Sequence, residues 1–68
     1  MQLDPFELVR LMKKNLPPDI DQEEIVMGLL TYLVIYYGRN FPHPIRRAQI
    51  ERFNELLFTW GMGYPDND

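Results

Sequence analysis

Apolar and polar positions along the chain predict three helical segments separated by proline-bearing breaks. In the first, Asp4 takes the N-cap position, Pro5 the first helical position and Glu7 the third. This is a capping-box pattern, in which side chains satisfy amides that have no partner in the first turn. Leu3 and Leu8 are placed to form the accompanying hydrophobic staple. The helix is expected over 5–15, with Lys13 and Lys14 at the negative end of its dipole, and Pro17-Pro18 stops it. Asp21-Gln22-Glu23-Glu24 repeats the device, with Ile20 and Ile25 as the staple pair, and predicts a second helix over 22–37. Gly38 stands where a left-handed C-cap is expected. A stiff loop, Arg39-Asn40-Phe41-Pro42-His43-Pro44, leads into a third helix expected over 44–60. On a wheel of about 100° per residue, Ile45, Ile50, Phe53, Leu56, Leu57 and Trp60 share one apolar arc of that helix. The reading is all-α: a single three-helix domain over 1–63 and a frayed acidic tail over 64–68.

The second helix breaks the amphipathic rule. No charged residue occurs over 25–38, and most of the side chains there are large and apolar: Ile25, Val26, Met27, Leu29, Leu30, Leu33, Val34, Ile35, with Tyr32, Tyr36 and Tyr37. A helix that is apolar all round must be covered all round. The run is too short for a bilayer, which takes about 20 residues, so no membrane is indicated. Two short flanking helices leave part of it open, and each large side chain left in water forgoes roughly 1.5–3 kcal/mol of burial. The three-helix domain is therefore expected to be completed as a helical dimer, isologous and two-fold, with helix two at its centre. Glu24, Gly28, Thr31 and Ile35 form the stripe along which another backbone comes closest. The competing possibility is that this stripe faces solvent and the rest of the helix is covered within a monomer.

Composition narrows the alternatives. Sixty-eight residues, 46% hydrophobic and 25% charged, describe a small globular chain rather than a disordered one. A chain of this length is marginal unless a disulfide, a metal or a partner subunit holds it. Cysteine is absent and His43 is the only histidine, which removes disulfides, thiolate sites and imidazole clusters. A partner subunit remains. The opening Met1-Gln2-Leu3-Asp4-Pro5 has no basic region followed by an apolar stretch, and a cytoplasmic location is the default.

Charge is unevenly placed. The net charge is -3, yet Arg39, His43, Arg46, Arg47 and Arg52 cluster around the start of helix three. Arg46 and Arg47 fall in its first turn, where carboxylates are the favoured residues, and Arg46 projects near the middle of the apolar arc. Either this corner meets an anion or an acidic partner, or its charges pair within the protein: Arg47 with Glu51, Arg52 with Glu55, Arg46 with an acid from a neighbouring helix. Phe58 lies off the apolar arc among Arg47, Glu51, Asn54 and Glu55. With Gly28, Thr31, Ile35, Tyr36 and Trp60, it completes the candidate dimer or partner contacts.

No catalytic constellation is legible. The chain has no serine and no cysteine, and Thr31 and Thr59 lack a basic neighbour in sequence. Asp19-Ile20-Asp21-Gln22-Glu23 has the spacing of the first ligands of a calcium loop, but Glu24 stands where glycine is needed and Leu30 where the closing glutamate belongs. No small-molecule substrate or cofactor is indicated. The expected function is non-enzymatic: a protein–protein interaction module that self-associates through helix two, as a subunit, adaptor or inhibitor. The alternative is a nucleic-acid-binding regulatory protein that uses the basic start of helix three.

Overall fold

The computed structural model describes residues 2–66. The chain is all-α, with α1 over Pro5–Asn15, α2 over Gln22–Asn40 and α3 over His43–Met62. α1 starts where its cap residues dictate. The Asp4 carboxylate accepts from the Phe6 amide at 2.8 Å, Pro5 opens the helix, and Lys13 and Lys14 occupy the last turn. The reciprocal half of the capping box does not form, because Glu7 pairs forward with Arg10 at 3.1 Å. Asp21 caps α2 in the same way, accepting from the Glu23 amide at 3.2 Å. Between these helices, Leu16 is extended and the Ile20 amide closes a turn on the Pro17 carbonyl at 3.2 Å.

The end of α2 differs from the sequence expectation. Gly38 is helical, no glycine among the described residues has positive φ, and the helix continues through Arg39 to Asn40. Arg46 explains the extension. Its guanidinium donates from Nε to the Phe41 carbonyl at 2.9 Å and from a terminal nitrogen to the Gly38 carbonyl at 3.2 Å. The Asn40 side chain donates to the Tyr36 carbonyl at 2.8 Å. Arg46 thus satisfies the Gly38 carbonyl from the side, a role that a left-handed C-cap otherwise serves through backbone amides. The expected six-residue loop shrinks to Phe41-Pro42, and α3 begins at His43 without a side-chain cap.

α2 and α3 meet only at the corner that joins them. There Tyr37 stacks on Phe41 with centroids 5.7 Å apart and meets Phe53 edge-on at 6.2 Å. Leu33 and Tyr37 on α2, and Arg46, Gln49 and Phe53 on α3, are half-buried. Beyond this corner the expected apolar arc of α3 is in water: Ile45, Ile50, Leu56, Leu57 and Trp60 are all exposed. The backbone of α1 approaches neither other helix within 8 Å. No described residue reaches full burial. The radius of gyration is 14.4 Å, against about 11 Å for a compact chain of this length.

Removing the Arg46 latch tests this account of the corner. Arg46→Ala is expected to cost roughly 1–2 kcal/mol, a fall in Tm of about 4–8 °C per kcal/mol at fixed protein concentration. Arg46→Lys should recover only part of it, because an ammonium lacks the planar fork that reaches two carbonyls. Thermal melts followed by circular dichroism measure both, and an unchanged Arg46→Ala melt contradicts the latch.

Candidate interaction surface

α3 half-covers α2 at Leu33 and Tyr37 near the corner, while Val26 and Leu30 on the same side of the helix are exposed. On a wheel of about 100° per residue, the half-buried pair Leu33 and Tyr37 lies about 170° from the line through Glu24, Gly28, Thr31 and Ile35. α3 therefore packs on the side opposite the stripe that the sequence singles out. Of the two flanks between, one carries Met27 and Val34, and the other carries Leu29, Tyr32 and Tyr36. All five are exposed, Val34 at 64% and Tyr32 at 67%. Over 26–36 the sides of α2 away from Leu33 are thus mostly apolar and exposed, while Ile25 on the second flank is half-buried.

One polar group on the open face is satisfied within its own helix. The Thr31 hydroxyl donates to the Met27 carbonyl of its own helix at 2.8 Å. Its polar group is already satisfied, so covering Thr31 leaves no orphaned donor. At Gly28 an added Cβ meets nothing within 4 Å, and the helical backbone there does not require glycine. A glycine inside a helix costs roughly 0.5–1 kcal/mol relative to alanine, and no contact among the described residues accounts for it.

The other expected contact residues lie elsewhere. Tyr36 belongs to the aromatic corner, edge-on to Tyr37 at 5.2 Å and to Phe41 at 6.0 Å. Phe58 and Trp60 are 70% and 73% exposed near the far end of α3, two positions apart and hence on different faces. An open groove beside Phe58, of about 520 Å³, is lined by Glu51, Asn54, Glu55 and Thr59. Every wall belongs to α3, so it is a helix surface rather than a cavity. Of the expected tail, Tyr64 is exposed and its amide donates to the Gly61 carbonyl at 3.2 Å. Asn67 and Asp68 lie outside the described residues.

The basic corner is partly consumed by the fold. Arg46 serves the α2 carbonyls; the acidic partner expected for it is replaced by backbone. Arg47 donates to Glu51 at 2.9 Å, the expected i,i+4 pair. Arg52 forms no salt bridge with Glu55 among the described residues. Arg39 belongs to the last turn of α2, where its charge suits the dipole, and His43 opens α3. Exposed and unpaired by salt bridges among the described residues, Arg39 and Arg52 are the arginines left for an outside acid. Two features escaped the sequence reading. One is the Tyr37–Phe41–Phe53 cluster; the other is the role of Arg46, whose signal was a cation placed inside an apolar arc.

Among the described residues no group of three or more His, Cys, Asp or Glu is arranged to hold a metal ion, and no helix is long and apolar enough to cross a membrane. The chain matches no known family, no curated protein and no solved structure.

Since both partners of the Arg47–Glu51 pair are largely exposed, solvent screens it. Arg47→Ala is expected to change stability by less than about 0.5 kcal/mol in chemical denaturation. A loss several times larger would give the basic corner a structural weight that its geometry does not show.

Proposed function

We propose that this chain is a helical protein–protein interaction module whose first partner is a second copy of itself, engaged through α2. The observation that carries the reading is that no described residue of the single chain is buried. Its accessible surface is 6932 Å², whereas a compact protein of 8.2 kDa exposes about 4,500 Å². The excess is about 2,400 Å² per chain, or about 4,800 Å² for two. That lies within the range of roughly 2,000–5,000 Å² buried by obligate homodimers, whose interfaces resemble a domain core cut in half. The charge-free circumference of α2 supplies apolar surface of the kind such an interface needs. Nothing in the site favours catalysis, and the nucleic-acid alternative loses two of its five basic groups to intrachain contacts.

Light scattering coupled to size exclusion tests the reading, with a dimer expected at low micromolar concentration and a Tm that rises with protein concentration. A folded 8.2 kDa monomer would sink it. Substitution on the open face adds a second check. Gly28→Ala should raise helix propensity by roughly 0.5–1 kcal/mol, yet weaken self-association if another backbone approaches there. Ile35→Asp should weaken the dimer on the order of tenfold or more, through roughly 1.5–3 kcal/mol of lost burial. The corresponding change at exposed Phe6 on α1 should leave the dissociation constant within about threefold of the parent, a difference of under ~1 kcal/mol.

A further inference from the structure

Resting on that self-association reading, we infer the orientation and register of the pair: two α2 helices cross antiparallel about a two-fold axis between Thr31 and Tyr32, with Glu24 of each copy facing Arg39 of the other. Glu24, Gly28, Thr31, Ile35 and Arg39 recur at i, i+4, i+7, i+11 and i+15, all within about 40° of one line on the helix. That line runs along the face opposite α3, and every residue on it is exposed. Its interior is free of charge, and its ends carry opposite charges. Neither Glu24 nor Arg39 forms a salt bridge among the described residues. They cannot pair within one chain, because about 22 Å of helix separates them.

A second copy resolves both ends at once. A parallel pair would set Glu24 against Glu24 and Arg39 against Arg39, which is repulsive at each end. The antiparallel pair sets acid against base twice and opposes the two helix dipoles. The same operation places Ile35 of each copy over Gly28 of the other, a large side chain over the position where an added Cβ would meet nothing within 4 Å. Thr31 and Tyr32 then lie at the axis, where the Thr31 hydroxyl is already bonded to its own helix.

Charge reversal tests the register. At low ionic strength, Glu24→Arg and Arg39→Glu should each weaken the homodimer by roughly tenfold to thirtyfold, since two attractive pairs become two repulsive ones. Mixing the two variants should restore affinity by forming a heterodimer, because across that pair both contacts again join opposite charges. Native mass spectrometry reads the heterodimer directly. Each reversal also opposes its own helix dipole, but a dipole effect stays with its chain and cannot be rescued by mixing. A dimer unmoved by either reversal, or variants that mix without preferring each other, would overturn the antiparallel register while leaving self-association standing. A parent chain that is monomeric would overturn the self-association reading itself.

Discussion

A helix with no charge for fourteen consecutive positions has no side that belongs in water. Its requirement for cover sets the terms for everything around it. Two flanking helices can meet that requirement only if both lie along its length. Here neither does. α3 turns away after the corner residues Tyr37, Phe41 and Phe53, and α1 points off beyond the Pro17-Pro18 turn. Apolar surface that would be a core in a larger domain is displayed on three sides of α2. In the proposed pair the missing walls would come from a second copy, the kind of support that chains of this length commonly need.

The corner that does form is held by polar chemistry as much as by packing. Arg46 sits in the positive first turn of α3, where the dipole of its own helix disfavours it. Its guanidinium instead reaches the carbonyl end of α2, the negative pole of a different helix. One side chain thus lengthens α2, replaces its glycine cap and fixes the sharp turn at Phe41-Pro42. The turn in turn decides which side of α2 is covered. With Leu33 and Tyr37 facing α3, the line from Glu24 to Arg39 is left on the far side, exposed at every position.

Helix starts were legible because their signals are local. Asp4-Pro5 and Asp21 act through hydrogen bonds spanning two residues, and both caps stand where the residue types put them. Helix ends were less so. Gly38 carries the usual signal for termination, but Arg46, eight residues later, overrides it, and a contact across a turn leaves no mark at the glycine itself. The apolar arc of α3 was read as a packing face, and its periodicity is real. Periodicity specifies which residues share a side, though not whether a neighbour lies along that side, and the divergence of α2 and α3 leaves Leu57 and Trp60 in water. For the candidate surface, the line through Gly28, Thr31 and Ile35 could be read from spacing alone. That it lies opposite α3 could not, since that depends on the corner. The basic cluster divided on the same principle: Arg47 met the acid four residues away, while Arg46 met backbone that no residue pattern encodes.

If the proposed pair forms, folding and assembly of this open helical chain would be bound together. α1 is eleven residues long, short enough that helices of its length are marginal in water without tertiary contacts. The isolated chain gains little from burying any one helix, because its half-buried residues are confined to the α1–α2 turn, at Met12, Leu16, Ile20 and Ile25, and to the α2–α3 corner. Most of the apolar surface available to offset the entropy of ordering the backbone lies on the exposed faces. In the proposed pair, covering those faces would supply much of the folding free energy, so stability and association would be governed by the same residues. This also gives Gly28 a reason. A glycine that weakens its helix serves no purpose in a solitary chain with open space above it, whereas at a helix crossing it lets a second backbone and the Ile35 side chain come close. In the proposed pair the local cost would fall on the single chain, and the return would come on assembly.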